Sequence, residues 1–324
     1  MEKPPLFSNS EIFNYEISLS DWISNLPERL HAAPLSWLTI PGSHDSGSYG
    51  LKTKHGIAPD KPGLQKSLLV KIFSFIVLPI IKRWTKTQNL TITDQLLNGI
   101  RYFDFRVASM KNEDDLYFVH GLYGDKILDL CKEIDNFLTT YSKEIVILDF
   151  QHFYSVSDEQ HKRLIGKITE IFGSKVCPFM EFKSPDRTSL KNLWSNKYQV
   201  LVYYRNEEMC KYNPKLWPSL LLPNPWANTM DVNYLVKFLT KNVESRDEHA
   251  FYVTQGVLTP DNKCVVLNWT TTLYHKLAKK CNENLVLWLK DKTTGPRGPN
   301  IAMIDFIEWK DAHIPKIVVK MNYR

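Results

Sequence analysis

Residues 40–46 read Ile-Pro-Gly-Ser-His-Asp-Ser, an apolar run that stops at Pro41-Gly42 and is followed at once by the pair His44 and Asp45. The same arrangement recurs along the chain, because other apolar runs also end in polar side chains. The polar residues at these ends are Arg106, His120, Asp149, Gln151, Arg205, Gln255 and Asp305. Polar side chains at the carboxyl ends of successive strands are typical of the active face of a (β/α) barrel. The sequence therefore predicts an α/β protein with a closed barrel, in preference to an open doubly wound sheet.

Short apolar runs alternate with segments of helical periodicity, which predicts parallel strands joined by crossover helices. The predicted strands are Leu35–Ile40, Ile100–Val107, Leu116–Val119, Glu144–Phe150, Gln199–Tyr204, Ala250–Thr254 and Ile301–Phe306, with an eighth in Leu220–Pro223. The predicted helices are Ile127–Tyr141, Ser157–Phe172, Asp231–Asn242 and Leu267–Lys290. Ser157 and Asp158 are expected to cap the second helix and Gly173 to end it. No repeat or linker divides the chain, so a single domain is expected.

Composition narrows the class of protein. The 324 residues carry 41 basic and 35 acidic side chains, a net charge of +6, which suits an anionic phosphate substrate or an anionic membrane surface. The basic residues are scattered without a stacking motif, which argues against nucleic acid as a partner. The amino terminus lacks the basic start and apolar run of a signal peptide. The five cysteines form no Cys-x-x-Cys pair, so free thiols and a cytoplasmic location are predicted.

The segment Leu68–Ile81 stands apart because it is strongly apolar and is flanked by Lys66, Lys82 and Arg83. It is shorter than the roughly 20 residues that a membrane span requires. A helix of this kind either lies in a membrane interface, with Trp84 at the level of the headgroups, or packs against the barrel wall. The sequence leaves both possibilities open.

Two further segments carry candidate catalytic residues. Residues 101–107 read Arg-Tyr-Phe-Asp-Phe-Arg-Val, in which Asp104 and Arg106 point to one face of a strand and the aromatic residues to the other. His120 directly follows an apolar strand and precedes Gly121. A structural ion pair and a loop histidine are the alternatives for these residues. A carboxylate-held guanidinium, however, is well suited to bind a phosphate oxygen.

In this order, residues 40–46, 101–107 and 118–124, followed by Glu-Ile-Val-Ile-Leu-Asp-Phe-Gln-His-Phe at 144–153, resemble the X-domain signature of phosphatidylinositol-specific phospholipases C. The resemblance implies a distorted TIM-type (β/α) barrel over residues 21–324, preceded by an extension of residues 1–20. It also implies that His44 is the general base for the inositol 2-hydroxyl and His120 the general acid for the diacylglycerol oxygen. Asp305 and Asp45 are then expected to orient the base and the acid, respectively.

The resemblance also predicts that no metal cofactor is needed. The large eukaryotic members of the family bind calcium at positions that Asp45, Asp104, Arg106 and Gln151 occupy in this chain. Arg106 matches the arginine of the metal-independent bacterial enzymes and is expected to stabilise the phosphorane charge in place of calcium. The resemblance further points to Arg205, Gln151 and Gln255 as substrate-binding residues, although the two glutamines replace charged residues of the bacterial enzymes.

The leading hypothesis is therefore a phosphodiesterase that cleaves phosphatidylinositol to diacylglycerol and an inositol phosphate, cyclic at first. The expected partner is a membrane surface that contains phosphatidylinositol, contacted peripherally through Leu68–Ile81, and the sequence points to no protein partner. One alternative is a phosphoinositide- or membrane-binding module with little turnover. Another is a metal-dependent glycerophosphodiester phosphodiesterase, against which the basic Arg106 argues.

Overall fold

The computed structural model of the chain describes residues 16–324, so most of the predicted extension lies outside the described residues. Its strands are β1 (Ile40–Ser43), β2 (Lys52–Ile57), β3 (Tyr102–Ser109), β4 (Leu116–His120), β5 (Leu122–Lys126), β6 (Val146–Tyr154), β7 (Val200–Tyr204), β8 (Val253–Gly256) and β9 (Ile301–Ile304). Its helices are α1 (Pro62–Lys66), α2 (Leu68–Ile72), α3 (Ser74–Thr85), α4 (Ile92–Leu97), α5 (Ile127–Thr140), α6 (Asp158–Phe172), α7 (Phe179–Phe182), α8 (Leu190–Ser195), α9 (Glu207–Tyr212), α10 (Val232–Glu244), α11 (Asn262–Leu267), α12 (Lys279–Lys290) and α13 (Trp309–Met321).

Six strands form the parallel wall of the barrel, in the order β8-β9-β1-β3-β6-β7. The remaining three lie on one side of it, where β4 pairs antiparallel with the end of β3, β5 with β4, and β2 with β5. The expectation that all predicted strands are parallel is therefore wrong for β4. Only six residues (110–115) separate β3 from β4. A parallel neighbour needs a crossover of a dozen or more residues, so the chain turns back on itself instead.

An irregular segment bridges the gap between β7 and β8. On one side, the Trp217 N–H donates to the Val202 carbonyl of β7 (2.8 Å). On the other, the Val253 N–H at the start of β8 donates to the Pro223 carbonyl (2.9 Å). The predicted strand in Leu220–Pro223 is wrong as a regular strand, because residues 219–221 form a 3-10 turn and proline has no N–H to donate. The fold is thus a TIM-type barrel distorted at this junction.

Several other predicted boundaries change. Residues 35–37 form a 3-10 turn after Pro34, so the first strand begins only at Ile40. The predicted helix 267–290 is divided into α12 and a preceding π-helical turn at 274–278. Helices α5, α6 and α10 confirm the predicted ones, and Ser157 and Gln160 form a capping box at the start of α6. Gly173 ends α6 with φ +53°, a conformation open to glycine at little cost.

Because successive side chains of a strand point to opposite faces, the strands separate two hydrophobic cores. In β3, Phe103 and Phe105 point outward into a cluster that fills the space between the strands and the helices. Tyr102 points inward into a second cluster, which fills the amino-terminal end of the barrel. Trp22 belongs to this inner cluster, is fully buried and donates its indole N–H to the Gly99 carbonyl (2.9 Å). Apolar packing thus closes one end of the barrel and leaves polar side chains at the other.

Candidate active site

One layer of polar side chains lies at the carboxyl ends of the six parallel strands. Each of these strands contributes one residue, either within its last four positions or directly after its end. The layer consists of His44 (β1), Arg106 (β3), Gln151 (β6), Arg205 (β7), Gln255 (β8) and Asp305 (β9). His120, at the end of the antiparallel β4, joins the layer from the side. The structure therefore brings together the residues that the sequence predicted from strand ends.

Asp45 lies at the centre of the charged half of this layer and is fully buried. Its Oδ1 is 2.6 Å from Arg106 Nε, and its Oδ2 is 3.3 Å from His44 Nε2 and 3.1 Å from His120 Nδ1. Burial opposes ionisation of this carboxyl, but Arg106 and the two histidines outweigh it and lower its pKa to about 2. Asp45 is therefore an anion that three side chains share.

His44 lies between two carboxylates. Its Nδ1 is 2.7 Å from Asp305 Oδ1, while its Nε2 faces Asp45 and lies 3.4 Å from an Arg106 nitrogen. Burial favours the neutral ring, yet Asp45 and Asp305 together raise the pKa of His44 to about 9. In the free protein at pH 7, His44 is thus an imidazolium ion.

His120 has a different environment, although its ring centroid is only 6.3 Å from that of His44. Its Nδ1 is 2.7 Å from the Thr85 carbonyl and 3.1 Å from Asp45 Oδ2. Burial lowers the pKa of His120 to about 4, helped by the positive charges of Arg106 and His44 and only partly opposed by Asp45. The free protein therefore carries its shared proton on His44, the reverse of what the roles implied by the family resemblance require.

Asp104 lies beneath this group and fixes the loop that carries His44. Its carboxylate accepts the Asp45 N–H (3.0 Å) and is 3.9 Å from Arg106. Burial and the neighbouring Asp45 raise the pKa of Asp104 to about 6, against the opposing charge of Arg106. Donor atoms of His44, Asp45 and Asp104 lie within 4.8 Å of one another, as metal ligands would. However, the guanidinium of Arg106 already supplies a positive charge at 2.6 Å from Asp45.

Several residues that hold the two histidines were not found from the sequence. Gln88 Nε2 donates to the carbonyl oxygens of His44 (3.0 Å) and Ile304 (2.8 Å), and Thr87 Oγ1 also donates to His44 (2.9 Å). Asp60 accepts the N–H of Gly121 (2.7 Å), which follows His120. The only sequence signal was that Thr87 and Gln88 are polar and lie shortly after an apolar helix.

The half of the polar layer that lies on β6, β7 and β8 carries no net charge. Arg205 forms a two-point ion pair with Asp149, with Nε–Oδ1 and Nη2–Oδ2 distances of 2.9 and 2.7 Å. The Tyr102 hydroxyl donates to the same carboxylate and lies 3.2 Å from the amide nitrogen of Gln151. Gln255 donates to the Asn224 carbonyl (2.5 Å). This half offers amide and hydroxyl groups together with a guanidinium whose charge is compensated.

An apolar patch lies on helices α1 to α3 and the residues between them, beside the mouth of the barrel. Its members are Leu64, Leu68, Leu69, Ile72, Phe73, Phe75 and Ile76, and Phe75 is 74% and Leu68 70% exposed. The sequence left open whether this segment packs on the barrel, and it does so through its later residues, such as Leu78 and Ile81. Trp84 is buried, so its expected place at headgroup level is wrong. Within residues 16–324, no helix is long and apolar enough to cross a bilayer.

The fold and the polar layer define a (β/α) barrel with a histidine pair and an arginine gathered at its mouth. Among solved structures, the chain is similar to a phosphatidylinositol-specific phospholipase C from Listeria monocytogenes, with a TM-score of 0.64 and 18% identity over 94% of this chain and 98% of that one. A phosphatidylinositol-specific phospholipase C mutant from Staphylococcus aureus gives a TM-score of 0.59 and 16% identity over 94% and 96% of the two chains. At these identities the likeness shows the fold.

Sequence comparison identifies the family. Residues 79–206 match the family described as phosphatidylinositol-specific phospholipase C, X domain. The chain is 40% identical to PI-PLC X domain-containing protein 2 of Mus musculus over 95% of this chain and 88% of that protein. It is 37% identical to PI-PLC X domain-containing protein 3 of Homo sapiens over 95% of each. The chain therefore belongs to the PI-PLC X domain-containing proteins.

Proposed function

We propose that this protein is a phosphodiesterase that cleaves phosphatidylinositol to diacylglycerol and an inositol phosphate, cyclic at first. The observation that carries the proposal is the arrangement of two histidines and one arginine around Asp45, with each histidine within 3.3 Å of that carboxylate. A pair of imidazoles beside a phosphate-binding guanidinium is suited to general acid–base cleavage of a phosphodiester. Family membership and the fold support the same reaction class.

In the proposed reaction, His44 Nε2 accepts the proton of the inositol 2-hydroxyl as that oxygen attacks phosphorus. The bond from phosphorus to the diacylglycerol oxygen breaks, and His120 gives its proton to the departing oxygen. Arg106 stabilises the negative charge that develops on the phosphoryl oxygens, and Asp305 holds the ring of His44 through Nδ1 (2.7 Å). Because the nucleophile belongs to the substrate itself, correct positioning supplies much of the rate.

The resting proton distribution must change before this reaction proceeds. His44 is protonated and His120 neutral in the free protein, whereas the reaction starts from neutral His44 and protonated His120. A bound phosphodiester anion favours protonation of His120 and competes with Asp45 for Arg106. Both forms hold one proton on the pair, so substrate binding redistributes a proton that is already present.

The proposal includes no metal cofactor. The support is the contact between Arg106 and Asp45 at 2.6 Å, which places a fixed cation where a calcium ion would otherwise neutralise the carboxylates. A divalent cation in the same place would be repelled by the guanidinium and by protonated His44. A metal-dependent glycerophosphodiester phosphodiesterase is disfavoured for the same reason.

The proposed partner is the surface of a phosphatidylinositol-containing bilayer, contacted through the segment Leu68–Ile81. The exposed apolar patch supports this contact, and the nearby basic residues Lys66, Lys71, Lys82 and Arg83 suit the anionic headgroups. A membrane that displays phosphatidylinositol to a cytoplasmic protein meets these requirements. We therefore propose a cytoplasmic protein that binds membranes peripherally.

The test is diacylglycerol release from phosphatidylinositol vesicles in EDTA, comparing the unmodified protein with His44→Ala and His120→Ala. Because general acid–base catalysis contributes about 10²–10⁴-fold, each variant is expected to lose at least about a hundredfold in rate. His249→Ala is the matched control, since His249 is exposed and precedes β8 at the opposite end of the barrel. Vesicle binding without release, in EDTA or with calcium, would favour the binding module. Release only with added metal would favour the metal-dependent enzyme.

A further inference from the structure

A β-bulge in β6 changes which residues of this strand face the mouth of the barrel. Phe105 of β3 pairs with Phe150 of β6, but the next residue, Arg106, pairs with His152 rather than with Gln151. Two residues of β6 therefore oppose the single residue Arg106, which is the definition of a bulge. Bulges of this kind occur beside active sites, where they redirect a side chain.

The residues on either side of the bulge show which way His152 points. Before it, Phe150 lies against Phe105 in the outer core, and after it Phe153 packs in that same outer core. Gln151 points inward, because its amide nitrogen is 3.2 Å from the Tyr102 hydroxyl. His152 pairs directly with Arg106 in a parallel ladder and lies next to Gln151. Partners in such a ladder share a face of the sheet, so His152 also points toward the mouth.

Electrostatics agree with this placement. The pKa of His152 is lowered first by partial burial and then by the positive charges of Arg106 and Arg205, while Asp45 and Asp149 oppose the change. These four groups belong to both halves of the polar layer, so His152 lies within reach of each half. Its ring is neutral at pH 7, because the shift moves the pKa further below neutrality.

The side chain of His152 is available to a ligand. It is exposed, and among residues 16–324 neither ring nitrogen has a hydrogen-bond partner. In the described part of the chain its ring contact is with Tyr154, with ring centroids 6.1 Å apart. The neighbouring Gln151, and Gln255 on β8, are both engaged in hydrogen bonds within the protein. His152 therefore offers an uncompensated donor and acceptor at the neutral half of the mouth.

We infer that His152 is a headgroup-binding residue, whose neutral imidazole hydrogen-bonds a hydroxyl of the inositol ring. The inference rests on the proposed function, because that function places an inositol ring above the polar layer. A neutral imidazole suits an uncharged hydroxyl, which it can serve as donor or acceptor. Such a contact binds the substrate and the transition state alike, so it changes KM and leaves kcat largely unaltered.

Two measurements on the full-length protein test the inference. In kinetics with phosphatidylinositol in detergent micelles, His152→Ala is expected to raise KM by roughly three- to tenfold with kcat within about twofold, as one lost neutral hydrogen bond implies. His152→Gln keeps a donor and an acceptor and is expected to recover most of that loss. An unchanged KM, or a loss confined to kcat, would overturn the inference.

The second measurement uses NMR of the histidine rings during a titration with myo-inositol 1-phosphate, which requires no turnover. The resonances of His152 are expected to shift together with those of His44 and His120, while those of His249 stay unchanged. A shift of His44 and His120 without His152, or of no histidine at all, would overturn the inference. A shift of His152 in a protein that releases no diacylglycerol would leave the inference standing and remove only the proposed catalysis.

Discussion

The mouth of the barrel and the apolar patch depart from the usual distribution of side chains in opposite ways. At the mouth, Asp45, Asp104 and Asp305 are charged or polar groups at most 2% exposed, whereas in the patch Phe75 is 74% exposed. Buried carboxylates persist only when they are paired, and those at the mouth contact Arg106, a histidine or a backbone N–H. The exposed phenylalanine has no such compensation within residues 16–324.

The difference indicates where each region finds its partner. The charged groups at the mouth have ion-pair partners within residues 16–324, and a bound phosphate would compete with Asp45 for Arg106. The side chains of the apolar patch have no such partners, and a contiguous exposed apolar area of this kind marks an interaction site. Substitutions at the mouth should therefore lower turnover and leave vesicle binding intact. Substitutions in the patch should weaken vesicle binding and leave turnover of a soluble substrate intact.

The largest effect expected in this comparison comes from Arg106→Lys. Lysine keeps the positive charge but lacks the planar fork that contacts Asp45 at 2.6 Å and is available to a phosphoryl oxygen. We expect kcat for phosphatidylinositol in EDTA to fall by about 10²–10³-fold, as when one stabilising donor of a transition-state anion is removed. Sedimentation with vesicles should remain unchanged. A variant with nearly full activity would show that Arg106 only maintains the structure around Asp45.

The second prediction concerns the pH dependence of kcat/KM. Between the pKa of His120, about 4, and that of His44, about 9, the pair holds one proton. The reaction needs that one-proton form, so kcat/KM should form a plateau that falls below about pH 4 and above about pH 9. Asp305→Asn removes an anion 2.7 Å from His44, which lowers the pKa of His44 because the imidazolium loses a stabilising charge.

The alkaline limb of this variant should therefore move from near pH 9 toward neutral pH, while the acid limb stays in place. The measurement is kcat/KM from pH 4 to 10 in EDTA for both proteins. Asp247→Asn is the control, since Asp247 is an exposed carboxylate in the loop before β8, at the other end of the barrel. An alkaline limb at the same pH in both proteins would exclude His44 as the group that titrates there.

The sequence predicted the site because its signal is local. A polar residue directly after an apolar run identifies the end of a strand, and parallel strands bring such ends together. In this way His44, Arg205 and Asp305 were found without knowledge of their contacts, and Arg106 was found because it shares a strand face with Asp104. The direction of β4 was missed because apolar alternation is the same in parallel and antiparallel strands, and the decisive quantity was the length of the β3–β4 connection.

Features that depend on strand register or on contacts between distant residues could not be predicted from the sequence. His152 is absent from the predicted site residues. Regular alternation along β6 would point residues 151 and 152 to opposite faces, and the sequence does not reveal the bulge that turns both toward the mouth. The proton distribution between His44 and His120 also escaped prediction. It depends on which nitrogen meets a carboxylate and which meets the Thr85 carbonyl, and these contacts join residues far apart in the chain.

The smallest expected effect is on vesicle binding and comes from substitutions in the apolar patch. Leu69 and Phe75 are 68% and 74% exposed, so replacing both by serine removes little that stabilises the fold. Burying an apolar side chain in a membrane interface contributes about 1–1.4 kcal/mol when the burial is partial, so we expect each replacement to weaken vesicle binding roughly fivefold to tenfold. The measurement is sedimentation with phosphatidylinositol-containing vesicles, followed by turnover of a soluble short-chain substrate.

The matched control is Leu287→Ser, because Leu287 is also exposed (63%) but lies on α12 in the outer helical layer. If the patch is the membrane-binding surface, the double variant loses vesicle binding, Leu287→Ser does not, and both cleave the soluble substrate at the unmodified rate. Equal vesicle binding by all three proteins would remove the assigned role of the patch. Loss of soluble-substrate turnover in the double variant would show instead that α3 positions His120 through the Thr85 carbonyl at its end, a link of 2.7 Å.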